Sequence, residues 1–415
     1  MMLTRRSVTV GSAALATSTL VLGPEALAAP RRRRHRKTSA EDGQVVLDWE
    51  LITFRTVYPV PLYLTIPIAV GVPILGFVSL TMYRAAQRSA HLGASSESAA
   101  VARAAHDVLA YYVPEATTLD ADLQATYDAI GPGHERNKGD RIGAEAARDF
   151  LASRADDGWR NPDIHYTKTA GAGVWWPNTG QTDMVAPWLG SLRPLFVPLE
   201  PQSGPYPLTS AAWAADYEEV RRVGSSTSTP DQRTADQTAT ALFYNGSNAG
   251  MALGDAVVRY LAAHPQGILE TARIFALMHS AATDSIICTW QQKRDVGFWR
   301  PFQAISGLYD DGNAGTTSQP GWAPLVANPN YSDYLSGHGA GTSPQAEVVR
   351  RVLGEATPLE MRSSAGAPRP YTHVSEIEFD AFHARIWGGL HYRKAMADTY
   401  DMGHRTALRV ISALD

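Results

Sequence analysis

Three short stretches hold residue types that could do chemistry together. They are Lys293-Arg294-Asp295-Val296-Gly297-Phe298-Trp299-Arg300-Pro301, Tyr334-Leu335-Ser336-Gly337-His338-Gly339 and Arg385-Ile386-Trp387-Gly388-Gly389-Leu390-His391. Between them they supply fixed cations at Lys293, Arg300 and Arg385, a hydroxyl at Ser336, bare main chain at Gly337 and imidazoles at His338 and His391. A glycine beside a serine and a histidine lets an anion come close to backbone N–H groups. The set suits a multiply charged tetrahedral oxyanion. Ser-Gly-His alone is an ordinary turn tripeptide, and an arginine five residues ahead of a histidine recurs by chance. Weight comes from finding all three, in this order, in one chain.

The chain must bend to bring them together. Lys293 closes a helical run from Leu269 to Gln292, and Gly297 breaks it before Arg300-Pro301, so two cations can converge from a helix end and a loop. On a continuous helix Arg385 and His391 would face about 120° apart, and Gly388-Gly389 offers the break that turns both to one point. Gly339, Gly341 and Pro344 predict a poor helix start after His338. Upstream, helical patterns cover Ser98–Val113, Leu119–Ile130, Arg141–Arg154, Ser210–Val223, Thr234–Leu242 and Ala249–His264. His106, on the first of these, reads as a structural histidine. From Trp159 to Pro207, prolines, glycines and tryptophans leave no period, which predicts a long irregular segment that lines a site or covers a bundle. Strand-like alternation is scarce. The fold class expected is mainly α, built of helical bundles with long irregular loops.

Bulk properties narrow the classes. Over 415 residues, 44% hydrophobic and 19% charged content describe a globular protein, and a formal net charge of −4 excludes general nucleic-acid binding. A lone Cys288 excludes an intramolecular disulfide, and its apolar run Ser285-Ile286-Ile287 predicts a buried, inert thiol. Thr4-Arg5-Arg6-Ser7-Val8, an apolar stretch to Leu22 and Ala26-Leu27-Ala28 read as a twin-arginine signal peptide over residues 1–28, so the protein is expected to be secreted or extracytoplasmic. Residues 29–45 read as a basic disordered linker whose Arg31–Lys37 run could make weak contact with an anionic envelope surface. Residues 46–415 then form a single helical domain. Tyr58–Leu80 is long and apolar, but Pro59, Pro61, Pro67 and Pro73 favour extended and helical core segments over a membrane span.

The order Lys-six-Arg-Pro, Ser-Gly-His, Arg-five-His resembles the vanadium-dependent haloperoxidases. They share it with the type 2 phosphatidic acid phosphatase superfamily, which includes bacterial acid phosphatases. Trp290, Phe298-Trp299-Arg300-Pro301 with Ala304-Ile305, Ala104-Ala105-His106-Asp107-Val108-Leu109 and Gly388-Gly389-Leu390-His391-Tyr392 are similar to the haloperoxidase branch. The likeness begins near residue 50 and is densest after 270. It implies two four-helix bundles with the oxyanion-site core at about 270–415. It also implies vanadate as cofactor, with Lys293, Arg300 and Arg385 on the equatorial oxygens and Ser336 hydroxyl and Gly337 N–H donating to them. His391 would bind vanadium axially, and His338 would be the acid–base group.

The activity implied is oxidation of a halide by hydrogen peroxide to hypohalous acid or an equivalent, with a small organic substrate as a further partner. One alternative is an acid phosphatase holding phosphate and acting through a phosphohistidine at His391. A second is a non-catalytic oxyanion-binding protein. That reading is motivated by Ala395, where the family often carries an acid that orients the axial histidine. Asp398, or a backbone carbonyl, is the substitute the sequence offers. Trp290 and Tyr331 resemble the family's halide pocket and read equally as core aromatics.

Overall fold

The computed structural model describes residues 41–58, 66–247 and 249–415. The signal-like segment, the Arg31–Lys37 run, Pro59 and Pro61 lie outside the described residues. Thirteen α-helices follow in order among the described residues: α1 (Gln44–Val57), α2 (Ile68–Leu92), α3 (Glu97–Tyr112), α4 (Leu119–Ile130), α5 (His134–Ser153), α6 (Ala211–Val223), α7 (Ala235–Asn245), α8 (Ala249–Ala263), α9 (Ile268–Asp295), α10 (Pro301–Ile305), α11 (Gly337–Val352), α12 (Val374–Trp387) and α13 (Arg393–Leu414). Among the described residues one antiparallel hairpin, β1 (Leu359–Met361) with β2 (Arg369–Tyr371), pairs Leu359 with Tyr371. The mainly α class expected from the sequence is the one observed.

The longest helix organises the rest. From Ile268 to Trp290 nearly every residue of α9 is buried, as expected of a helix apolar all round. It packs along α2, which packs in turn on α3 and α5, and it packs also along α11 and α13, which meet each other. Two helix groups therefore share α9. Lys293 and the site sit at its C-terminal end.

Local sequence explains the boundaries. Ser96 caps α3 by accepting from Ala99 N, and Thr234 with Gln237 forms a capping box on α7. His106 bridges α3 to α4, its ring nitrogens 2.8 Å from Asp107 and 2.9 Å from Asp120, the structural role expected. Residues just ahead of 46 already pack on the domain: Gly43 N donates to Gln266 O at 2.8 Å, and α1 buries Trp49 and Phe54. Pro73 lies inside α2 without ending it. Burial of almost the whole helix offsets the proline's cost of about 3 kcal/mol. Among the described residues α2 alone is long and apolar enough to cross a membrane, and 89% of its most apolar window is buried within the protein.

The segment between α5 and α6 is irregular as expected, apart from a 3-10 turn at Pro187–Ser191. It is held to α9 by a buried carboxylate. Asp284 accepts the N–H groups of Leu195, Phe196 and Val197 at 2.6, 2.9 and 2.8 Å. Trp290 Nε1 donates to Val185 O at 3.0 Å further along. Cys288 is buried, and burial pushes its thiol up to about 11, so it is the inert thiol expected.

One polar cluster is embedded in the first helix group. Ser79 Oγ lies 2.7 Å from Glu50 Oε1 and 2.9 Å from His279 Nδ1, while Glu50 Oε2, 3.5 Å from His279 Nδ1, and His279 Nε2 have no hydrogen-bond partner. Burial pushes Glu50 from 4.5 up to about 8 and His279 from 6.5 down to about 3. Between 4.5 and 8 the folded state holds a proton on Glu50 that the unfolded chain has lost, so its contribution to stability is complete below 4.5 and is lost as pH rises towards 8. Glu50→Gln removes this dependence. The thermal midpoint of wild type should fall relative to that of Glu50→Gln as pH rises through that window. Parallel curves would show that Glu50 does not titrate with folding.

Candidate active site

Each element end contributes one part. Lys293 sits in the last turn of α9 and is fully buried; its Nζ donates to Ser332 O at 2.7 Å and Asp333 O at 3.0 Å, leaving the third N–H free. Gly297, at φ +61°, turns the chain so that Arg300 becomes the N-cap of α10 with Pro301 at its first position. Arg300 is fully buried; Nε donates to Tyr331 O at 2.8 Å, Nη1 to Leu390 O at 2.7 Å, and Nη1 approaches His391 Nε2 at 3.2 Å. Arg385 is in the last turn of α12, which stops at Gly388. Gly389, at φ +76°, has no room for a Cβ against Gly224 and Pro324, and this tight turn delivers His391 just ahead of α13.

Ser336 is the N-cap of α11, its Oγ accepting from Gly339 N at 3.3 Å, so the hydroxyl proton stays available as a donor. The N–H groups of Gly337 and His338 belong to the first turn, where no intrahelical acceptor exists. A Cβ at Gly337 would stand 2.9 Å from the Trp290 ring. The expectation of a poor helix start is corrected here: α11 begins at Gly337 and runs through Gly339, Gly341 and Pro344. Residues 339–349 are all buried, α11 packs on α9 and α13, and a Cβ at Gly339 would crowd Thr399 and Tyr400. Tertiary packing outweighs propensity.

The substitute for the family's acid is also corrected. His391 Nδ1 lies 2.7 Å from Asp333 Oδ1, both residues buried. Asp398 is engaged elsewhere, accepting from Tyr334 OH at 2.7 Å, Lys394 Nζ at 2.8 Å and Ser203 Oγ at 2.8 Å. Asp333 comes from the loop before Ser336, three residues upstream of it, and Ala395 lines a small cavity beside it. These partners assign the tautomer: Nδ1 carries the proton to Asp333, and Nε2, facing only a guanidinium donor, keeps its lone pair. Sequence reasoning missed Asp333 because it sought an acid on the helix of His391. The one signal was an aspartate beside the Ser-Gly-His turn.

The electrostatics suit an anion. Three buried cations face one buried carboxylate. Burial pushes Lys293 well below its ordinary value, with Arg300 adding to the effect, and pushes Arg385 down to about 10. Burial, then Arg300, Lys293, Arg385 and His338, hold His391 well below 6.5, so its imidazole is neutral. Burial, with Arg385 beside it, does the same to His338. Burial pushes Asp333 up to about 7, opposed by Arg300 and Lys293. Arg300 Nη2, Arg385 Nε and His338 Nε2 are buried polar atoms without a partner. The two orphaned guanidinium donors, Arg300 Nη2 and Arg385 Nε, on a net positive cradle fit vanadate or phosphate, whose oxygens would accept from them. Among the described residues no three His, Cys, Asp or Glu side chains converge on a cation. Tyr331 lies tilted against Trp290 with ring centroids 5.1 Å apart, and Lys293 Nζ is 4.9 Å and the Arg300 guanidinium 4.8 Å from its ring, so both aromatics wall the cluster.

Known proteins share this architecture. The fold is that of bacterial vanadium-dependent haloperoxidases: a vanadium-dependent iodoperoxidase superposes with TM-score 0.72 at 15% identity over 92% of this chain and 99% of that one, and a holo-type vanadium-dependent chloroperoxidase with TM-score 0.65 at 14% identity over 91% and 98%. Residues 273–414 match the family of the VCPO second helical-bundle domain. Vanadium chloroperoxidase of Curvularia inaequalis is 30% identical over 173 residues, 34% of this chain, and the match spans 28% of that relative's length. Residues 273–414 thus resemble the second helical bundle of a vanadium chloroperoxidase, and the chain as a whole shares the fold of the bacterial vanadium-dependent haloperoxidases.

Proposed function

We propose that this chain is an exported, vanadate-dependent haloperoxidase that uses hydrogen peroxide to oxidise a halide to hypohalous acid or an equivalent. The observation that carries the reading is the buried cluster of Lys293, Arg300 and Arg385 around a neutral His391 whose Nε2 lone pair is free of a proton. Lys293, Arg300 Nη2, Arg385 Nε, Ser336 hydroxyl and Gly337 N–H would hold the oxygens of vanadate, and His391 Nε2 would be the nitrogen that binds it. Vanadate supplies Lewis-acid activation of peroxide when bound. His391 is kept in the competent tautomer by Asp333. His338, neutral and with an unpaired Nε2, takes the proton of hydrogen peroxide. Lys293 and the arginines would hold the negative charge of the bound oxyanion. The Trp290–Tyr331 wall gives the halide a desolvated approach. Residues 1–28 support export by the twin-arginine route.

The same unprotonated Nε2 favours a second reading, an acid phosphatase in which His391 is the nucleophile and His338 protonates the leaving group. A non-catalytic binder loses its motive, since Asp333 does what Ala395 cannot. Purified protein assayed with vanadate, peroxide and bromide or chloride, and in parallel with a phosphate monoester, separates them. Bromination absent at every pH alongside phosphate release would overturn the peroxidase reading. Vanadate binding with neither reaction would leave the binder.

A further inference from the structure

We propose that α6, which lies outside the 273–414 match, is the positioning element for the axial histidine, with Asp216 as its central residue; the role rests on the oxyanion reading of the site. The helix runs along the chain that carries His391 and grips it at successive points. Its C-cap, Gly224, abuts Gly389 at backbone contact. Glu219 accepts from Arg393 Nε at 2.8 Å and Nη2 at 2.6 Å. Asp216, itself buried, accepts the Lys394 N–H at 2.9 Å. Trp213 packs on Tyr392 with ring centroids 4.8 Å apart.

Two features make this more than packing. First, α13 has no side-chain cap of its own: Tyr392 is its N-cap, and the orphan N–H at the second helical position is satisfied by Asp216 from another helix. A carboxylate there also complements the positive end of α13. Second, Trp213 stacks on Trp299 at 6.1 Å and meets Phe298 at 5.4 Å, the residues ahead of Arg300. One helix thus braces both the Arg300 turn and the His391 turn, whose side chains meet at 3.2 Å. Spaced three residues apart along α6, Trp213, Asp216 and Glu219 form one gripping stripe. Asp216 touches no reacting atom; it fixes the direction of His391 Nε2 through the start of α13.

The test is direct titration of the full chain with vanadate, and with inorganic phosphate, read by calorimetry and by vanadium NMR. Asp216→Ala should lose about tenfold in vanadate affinity and shift the bound vanadate resonance, because an outer support of a ligand histidine is removed. Asp216→Asn keeps an acceptor for Lys394 N–H and should stay close to wild type in both readouts. Wild-type affinity and resonance in Asp216→Ala overturn the proposal, as does an equal loss in the asparagine variant. Should Asp216→Ala fail to fold, Glu219→Ala at a partly exposed contact carries the test, and an unchanged resonance there overturns the proposal. A wild-type chain that binds neither anion overturns the functional reading itself, and the clamp with it.

Discussion

His391→Ala should abolish vanadate binding outright. In the proposed reading every other member of the cradle is a hydrogen-bond donor or a charge, whereas His391 Nε2 would supply the lone pair that binds the metal. The ring is specified on both sides: Asp333 Oδ1 accepts from Nδ1 at 2.7 Å, and Arg300 Nη1 faces Nε2 at 3.2 Å. Alanine leaves the cations to hold an oxyanion by electrostatics alone, in a cradle that has also lost the partner of Asp333. The loss expected exceeds the roughly 100-fold that removing an outer partner of a metal ligand can cause. Asp333→Asn should fall between, at about 10- to 100-fold, because the ring remains but its orienting charge does not. Calorimetric titration and the vanadium NMR line of bound vanadate measure both, with circular dichroism to confirm that each variant folds. An alanine variant that binds within a few-fold of wild type would remove His391 from the axial position.

The contrast between His391 and Asp333 shows what the sequence carried and what it did not. Lys293, Arg300, Ser336, Gly337, Arg385 and His391 were legible because fixed charges and a glycine turn have few other reasons to occur in that order. The breaks at Gly297 and Gly389 were legible because the positive φ each adopts favours glycine. Asp333 was not, since its partner lies 58 residues away and no helical period links them. The continuity of α11 was hidden for a related reason. Gly339, Gly341 and Pro344 lower propensity locally, while the packing that repays it comes from α9 and α13. Asp284 sits in the helical run read from Leu269 to Gln292 and Glu50 in a stretch that carries no motif; only the fold reveals three backbone N–H groups on one and a buried Ser–His pair on the other. Local text located the ends of elements. Contacts between distant elements decided how the site was oriented.

His338→Ala should separate binding from turnover. The side chain leaves from the second residue of α11, where Ser336 still caps the helix and alanine suits a helical position better than histidine does. The backbone cradle at Gly337 and the three cations are therefore kept. What is lost is a neutral imidazole whose buried Nε2 has no partner within the chain and whose ring stands edge-on to Tyr244 at 6.0 Å. Tyr244 is itself buried and fixed by a hydrogen bond to Tyr371 OH at 3.2 Å, so the imidazole is aimed by packing and is not free to swing. Removing a positioned proton acceptor of this kind costs about 10²- to 10⁴-fold in rate. The expected result is vanadate affinity near that of wild type with bromination reduced by that factor. The rate deficit should shrink when imidazole is added to the buffer, since a small base can enter the space the side chain leaves. If His338→Ala instead loses vanadate binding as fully as His391→Ala, its role is to hold the oxyanion and the proton must be handled elsewhere.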